Sequence, residues 1–138
     1  MTAFTTHLEV RFGHVDPAGI AYYPRIFDYV HEAFEELWNR HVGKRYYDLV
    51  GLDRIGFPLV RSVVEFTSPL RFGDRPRVDV TCFHIGRSSL GLRYLYTVDG
   101  RECLDARMTT VCVRLGELES LPIPEPYRTK FQEIREDP

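Results

Sequence analysis

The segment Pro24-Arg-Ile-Phe-Asp-Tyr-Val-His-Glu-Ala-Phe-Glu-Glu-Leu-Trp-Asn-Arg-His-Val-Gly43 repeats its apolar residues at steps of three and four. This period predicts one long amphipathic helix, which begins with a proline and ends with a glycine, as helices favour. The apolar stripe comprises Ile26, Val30, Ala33, Phe34, Leu37 and Trp38, widened by Phe27 and Tyr29. A stripe of this width has to be covered by another layer of structure.

The sequence after this helix is rich in Val, Thr, Tyr and Phe, which favours strands. The breaks between these segments are too short for a parallel crossover, so neighbouring strands are expected to be antiparallel. Asp99-Gly100 is the clearest hairpin signal. One strand is expected before the helix and four after it, at residues 5–12, 57–68, 75–85, 88–98 and 101–114. We therefore predict an α+β fold in which the last two strands include a sheet edge that dimerisation could cover.

Length and composition limit the class of protein. The chain has 138 residues, 43% hydrophobic and 28% charged, so residues 1–138 are expected to form a single globular domain. A net charge of −2 argues against a nucleic-acid-binding protein and favours a small or carrier-linked ligand. The three cysteines are scattered, and there is no signal-peptide pattern or apolar run of ~20 residues. A cytoplasmic location without a membrane span is therefore expected.

The loop before the helix holds the best candidate for chemistry. Asp16-Pro17-Ala18-Gly19 is a strong turn signal, since proline presets φ and glycine tolerates positive φ. Tyr23 follows at the helix cap, where a backbone N–H has no intrahelical partner and can stabilise an anion. A carboxylate opposite such an N–H suits acyl transfer. Because an aspartate before a helix is also a common turn or cap residue, the local pattern leaves both interpretations open.

A longer run of residues resembles a known family. Phe12-Gly-His-Val-Asp-Pro-Ala-Gly-Ile-Ala-Tyr-Tyr-Pro24, followed by the helix, is similar to the 4-hydroxybenzoyl-CoA thioesterase family and to the short-chain acyl-CoA thioesterases associated with the Tol-Pal system. Two later segments agree, Val63-Val-Glu-Phe-Thr-Ser-Pro-Leu-Arg-Phe-Gly-Asp74 and Ile85-Gly-Arg-Ser-Ser-Leu90. The resemblance extends from the first strand to about Val113. It implies a hotdog fold, in which a curved five-stranded antiparallel sheet wraps around the long helix.

The resemblance also implies subunit organisation and residue roles. Family members are dimers or dimers of dimers with active sites at the subunit interface. The aspartate matching Asp16 attacks the thioester carbonyl or activates water, and the backbone N–H matching Tyr23 polarises the carbonyl oxygen. No metal or separate cofactor is implied, because coenzyme A is part of the substrate. The implied substrate-binding residues are Arg87, Ser88 and Ser89 near the CoA nucleotide, and Pro58, Val60 and Arg61 along the acyl pocket of the other subunit.

Three further side chains leave alternatives open. His14 stands two residues before Asp16, where relatives often have a small or acidic residue. It is a loop histidine, a residue that tunes substrate choice, a general base, or half of a metal pair. His31 lies towards the apolar side of the helix, where it either lines the acyl pocket or is a hydrogen-bonded core or interface histidine. Glu65 is either a second carboxylate of the site or a paired structural residue, and its position on a strand favours the structural role.

Three classes of function fit these residues. The leading one is hydrolysis of an aromatic or short-chain acyl-CoA, with aromatic acyl groups favoured. The second is a hydratase or dehydratase of acyl thioesters on the same fold, in which Asp16 and His31 would form the acid–base pair. The third is a non-catalytic dimer that binds acyl-CoA or acyl-carrier protein. In each case we expect a homodimer or homotetramer, with no nucleic-acid partner.

Overall fold

The computed structural model describes residues 2–136, which form eight strands and three α-helices. The strands are β1 (Phe4–His7), β2 (Ile55–Gly56), β3 (Leu59–Phe66), β4 (Arg77–Ile85), β5 (Ser89–Val98), β6 (Arg101–Val111), β7 (Val113–Arg114) and β8 (Glu119–Ser120). The helices are α1 (Arg25–Glu36), α2 (Tyr46–Gly51) and α3 (Glu125–Gln132). A π-helical segment, Leu37–Val42, continues α1, and a 3-10 turn occupies Phe12–His14.

The main sheet has five antiparallel strands in the order β1-β4-β5-β6-β3, and β2, β7 and β8 form a second, small sheet. The predicted hairpin is confirmed: Asp99 and Gly100 join β5 to β6 with φ of 51° and 80°. Positive φ at both central positions matches the right-handed twist of the flanking strands. The predicted α+β architecture, with one sheet and one long helix, is therefore confirmed.

The prediction that one of the last two long strands lies at a sheet edge is wrong. β6 lies between β5 and β3, and the edges of the main sheet are β1 and β3. Short hairpins determine only that β4, β5 and β6 are neighbours. The connection between β3 and β4 is longer, which allows β3 to pair with the edge of β6 that faces away from β5. One of the two edges therefore belongs to the strand that begins at Leu59.

The helical segment is anchored to α2, to α3 and to the connection between β2 and β3 through a buried aromatic cluster. Its centre is Trp38, which is fully buried and lies in the π-helical segment. Five aromatic rings surround Trp38 at centroid distances of 5.2–6.2 Å: Phe34, Tyr46, Phe57, Tyr127 and Phe131. The segment ends as predicted at Gly43, whose φ of 84° suits a residue without a side chain. These contacts fix the position of α1, whose N-terminus faces the loop that carries Asp16.

Candidate active site

Asp16 lies at the start of a tight turn between two short antiparallel arms. Val15 and Ala21 form a β-bridge across the turn. The Asp16 N–H donates to the Ile20 carbonyl at 3.0 Å, and the Gly19 N–H donates to the Asp16 carbonyl at 2.8 Å. Gly19 has a φ of 81°, which explains the glycine at this position. The predicted turn is therefore confirmed.

Backbone hydrogen bonds attach this turn to the connection between β3 and β4. The Ala21 N–H donates to the Leu70 carbonyl at 2.7 Å, and Ile20 forms a β-bridge with Arg71. Before the turn, the Val10 N–H donates to the Asp74 carbonyl at 2.9 Å. Backbone bonds of this kind restrain the position of a loop without relying on side chains. Asp16 is therefore carried by a restrained loop.

The two carboxylate oxygens of the half-buried Asp16 have different environments. Oδ1 accepts a hydrogen bond from the Ala18 N–H at 2.8 Å, which is an Asx turn. Oδ2 has no hydrogen-bond partner among residues 2–136. The turn-forming role and a chemical role are therefore compatible, because they use different oxygens.

Tyr23 provides the backbone N–H that faces no carbonyl. Helix α1 begins at Arg25 with Pro24 as its N-cap, and no side chain caps it by a hydrogen bond. The Tyr22 N–H donates to the His14 carbonyl at 2.8 Å, and the Arg25 N–H donates to the Tyr22 carbonyl at 2.8 Å. Within residues 2–136, the Tyr23 N–H donates to no backbone carbonyl. The helix start therefore offers an unused donor with the polarity that favours anions.

Tyr23 also lines a largely apolar cavity of about 340 Å³ beside the start of α1. Ile26, from the apolar stripe, lines this cavity too. Other residues of the wall, which include Phe66, Leu70 and Leu104, come from distant parts of the chain, so no local sequence pattern groups them with Tyr23. Asp16 is not one of the lining residues. The cavity is of a size and polarity that suit an apolar acyl group.

His31 lines a second apolar cavity, of about 270 Å³, together with residues such as Phe34, Leu59 and Met108. Its ring stacks on Phe34 at a centroid distance of 6.0 Å, and its Nε2 lies 3.7 Å from a carboxylate oxygen of Glu35. Its side chain is 60% exposed. His31 is therefore not a core histidine in this chain. It also lines a different cavity from Tyr23, so a single chain does not pair it with Asp16.

Arg87 and Ser88 lie in the turn between β4 and β5, and Ser89 is the first residue of β5. Ser89 Oγ lies 2.8 Å from His84 Nε2, and Arg87 Nη1 donates to Ser88 Oγ at 3.2 Å. Arg128 from α3 donates to the carbonyl oxygens of residues 86 and 87, both at 3.0 Å. Hydrogen bonds from Arg128 therefore restrain the backbone of the turn, and the Ser89 hydroxyl is already bonded to His84. The Arg87 side chain is exposed.

Pro58, Val60 and Arg61 lie at the start of the edge strand β3 and are exposed. A bulge between Leu59 and Arg61 places Arg61 on the outer face of the sheet, where it lines a surface depression with Glu65 and Arg107. No ion pair of Glu65 is found within residues 2–136, so the predicted pairing of this residue is not seen.

The predicted site residues fall into two groups at opposite ends of the sheet. The first group is Asp16 and Tyr23, beside the connection that enters β4. The second group is the β4–β5 turn and the start of β3, which lie at the other end of the strands. β4 has nine residues, so the ends are about 30 Å apart at ~3.3 Å per residue. One chain therefore does not bring both groups around one thioester carbonyl.

The side-chain positions bear on the hypothesis that His14 and Asp16 form half of a metal site. Within residues 2–136, no three His, Cys, Asp or Glu side chains are grouped as metal ligands. The His14 ring instead contacts Tyr29, a residue that sequence analysis placed only in the apolar stripe. In the same described part of the chain, no helix is long and apolar enough to cross a membrane.

Comparison with known proteins identifies the family. Residues 10–131 match the family model described as thioesterase-like superfamily. A 1,4-dihydroxy-2-naphthoyl-CoA hydrolase from Synechocystis sp. is 28% identical over 137 residues, which cover 97% of this chain and 98% of the relative. A solved thioesterase superfamily structure from Jannaschia sp. has a TM-score of 0.91 at 25% identity, covering 99% of this chain and 95% of that one. A gentisyl-coenzyme A thioesterase has a TM-score of 0.84 at 26% identity, covering 93% and 99%.

These similarities confirm the resemblance at the level of the superfamily. The named relatives act on naphthoyl and gentisyl thioesters, and they do not single out the 4-hydroxybenzoyl type. The sheet order, the long helix and the solved structures agree on the hotdog fold. The chain therefore belongs to the thioesterase-like superfamily and is a thioester hydrolase with the hotdog fold.

Proposed function

We propose that this protein hydrolyses an aromatic acyl-CoA to the free acid and coenzyme A, with short-chain acyl-CoAs as poorer substrates. The observation that carries the proposal is the free Oδ2 of Asp16, in a restrained loop beside the uncapped start of α1. Two facts support an aromatic acyl group. The cavities next to Tyr23 and His31 are mostly apolar, and the named substrates of the relatives are aromatic thioesters.

In the proposed mechanism, Asp16 and Tyr23 act on opposite sides of the thioester carbonyl. Oδ2 of Asp16 either attacks the carbonyl carbon or removes a proton from a water molecule that attacks it. Both routes move negative charge onto the carbonyl oxygen, which the Tyr23 N–H stabilises together with the helix N-terminus. The C–S bond then breaks, and coenzyme A leaves as the thiolate or thiol. A covalent intermediate, where it forms, is hydrolysed by water.

The working unit in this proposal is a homodimer, or a tetramer built from it. The edge strand β3 exposes four large apolar side chains, Leu59, Val60, Val63 and Phe66, at 41–61% of their surface. Antiparallel pairing of two β3 strands would cover this edge. It would also bring the Leu59 end of a second copy to the Phe66 end of the first. The second group of predicted residues, including Arg61 and Arg87, would then approach the other copy's Asp16 loop.

Two charges on the exposed edge test the dimer. We expect Val60→Asp with Val63→Asp to convert the protein to a monomer and to lower thioesterase activity, because like charges would face each other across the paired strands. Light scattering after size-exclusion chromatography measures the mass. Leu52→Asp is the matched control, since Leu52 is 75% exposed but lies after α2, away from β3. A double variant that keeps the mass of the unmodified protein would contradict this interface.

A substrate panel tests the proposed reaction. The purified protein is incubated with benzoyl-, hydroxybenzoyl-, 1,4-dihydroxy-2-naphthoyl-, short-chain and long-chain acyl-CoAs, and free thiol is followed. We expect the highest kcat/KM with an aromatic thioester. Binding without thiol release from every substrate would overturn the proposal in favour of a binding dimer. Addition of water to an enoyl-CoA, without thiol release, would instead identify a hydratase.

A further inference from the structure

The His14 ring makes two contacts through a single nitrogen atom. The Arg11 N–H donates to His14 Nδ1 at 3.1 Å, and the Tyr29 hydroxyl lies 3.1 Å from the same nitrogen. The rings of His14 and Tyr29 meet edge to face at an interplanar angle of 65°, with centroids 5.4 Å apart. His14 Nδ1 therefore connects the turn before Asp16 to the middle of helix α1.

The chemistry of these donors determines the tautomer of His14. A backbone N–H is always a donor, so Nδ1 has to be the unprotonated nitrogen and the ring proton has to be on Nε2. The Tyr29 hydroxyl then donates its proton to Nδ1, and the two donors share one lone pair. Burial raises the pKa of Tyr29 to about 12, so this hydroxyl keeps its proton near neutral pH. Tyr29 is only 1% exposed, and water therefore does not readily replace His14 as its partner.

The backbone of His14 is bound at the same place. Its N–H donates to the Arg11 carbonyl at 3.0 Å, and its carbonyl accepts from the Tyr22 N–H at 2.8 Å. Tyr22 is the residue directly before Tyr23. The side chain of His14 thus contacts α1, while its backbone holds both the arm that leads to Asp16 and the arm that leads to Tyr23.

We infer that His14 is a positioning residue that sets the Asp16 carboxylate relative to the Tyr23 N–H by tying the loop to Tyr29 through Nδ1. The inference rests on the proposed function, because the position of Asp16 relative to Tyr23 affects turnover only when both residues act on the thioester. His14 itself does not touch the substrate in this role. It acts through the geometry of the loop, and a displacement of about 1 Å at such a site can cost on the order of 10²-fold in rate.

Replacing the Nδ1 acceptor is the direct test. We expect His14→Leu to lower kcat roughly 30-fold with little change in KM, because the loop loses its tie to α1. His14→Asn is expected to recover most of kcat, since its Oδ1 lies at the position of Nδ1 and accepts the same bonds. His7→Leu is the matched control: His7 is an exposed histidine of β1 and should keep the unmodified rate.

Tyr29→Phe tests the partner and keeps the aromatic packing. We expect roughly a tenfold lower kcat in this variant, and a His14→Leu/Tyr29→Phe double variant no slower than His14→Leu alone, since residues that act as one unit are not additive. Melting temperatures identify any variant that fails to fold, and Tyr29→Phe decides the case if His14→Leu does not fold. An unchanged kcat in His14→Leu and Tyr29→Phe, or a loss that Asn does not restore, would overturn the positioning role. Either result can occur while Asp16→Asn is inactive, so the two proposals fail separately.

Discussion

Asp16→Asn is expected to lower kcat for thioester hydrolysis by roughly 10³-fold and to leave the melting temperature unchanged. The asparagine Oδ1 can still accept the Ala18 N–H that Asp16 Oδ1 accepts at 2.8 Å, so the Asx turn is kept. The free Oδ2 becomes an uncharged amide nitrogen, which neither attacks a carbonyl nor takes a proton from water. The variant therefore separates the chemical role of Asp16 from its structural role, and steady-state kinetics with the best substrate of the panel measures it.

Asp74→Asn is the matched control for this experiment. Asp74 Oδ2 accepts the Arg71 N–H at 2.8 Å in the neighbouring connection, and asparagine can keep that type of bond too. This control removes one negative charge close to the same loop without touching the free oxygen of Asp16. We expect it to keep kcat within about twofold, because its backbone bond to Val10 is unchanged and its side chain does not contact Asp16. Turnover in Asp16→Asn equal to that of Asp74→Asn would show that Asp16 has no chemical role.

The largest effect on stability is expected for Trp38→Ala. Removal of a fully buried tryptophan costs about 3–5 kcal/mol of the free energy of unfolding, because it leaves a cavity among rings that collapse only partly. At roughly 3–4 °C for each kcal/mol in a domain of this size, the melting temperature should fall by about 10–20 °C. Differential scanning calorimetry measures this change.

Trp38→Phe is the companion variant. Phenylalanine keeps an aromatic ring in the cluster and removes the indole Nε1, which has no hydrogen-bond partner among residues 2–136. An unpaired buried donor costs free energy, so its loss offsets part of the lost packing. We expect Trp38→Phe to be much milder than Trp38→Ala. Equal melting temperatures for the alanine variant and the unmodified protein would mean that the cluster does not anchor the helix.

The features that sequence reasoning predicted are those encoded by neighbouring residues. The helix from Pro24 to Gly43 follows from a local period, and the Asp99-Gly100 hairpin follows from two adjacent residues. The position of β3 could not be predicted in the same way. It depends on which side of β6 the strand reaches after folding, and hydrophobic alternation along β3 is the same on either side.

The features of the candidate site also separate into those that neighbouring residues encode and those that depend on the folded chain. The Asp16 turn and the uncapped start of α1 follow from the sequence around them. The bond between His14 and Tyr29 does not, because 15 residues separate the two side chains and a tyrosine in an apolar stripe looks like any core residue. The cavity beside Tyr23 was also missed, since its wall includes residues as distant in sequence as Leu104. Contacts of this kind exist only once the chain has folded.

The open edge of β3 has a consequence for how much activity each molecule shows. In the proposed dimer, the unpaired N–H and C=O groups of the β3 edge pair with those of a second copy, so the number of complete sites would follow mass action. Specific activity should then rise with the concentration of the protein itself and reach a plateau when the dimer is fully formed. In a dilute solution most chains would carry an intact Asp16 loop and still be idle. The amount of protein made would thus set both the number of enzyme molecules and the fraction of them that work.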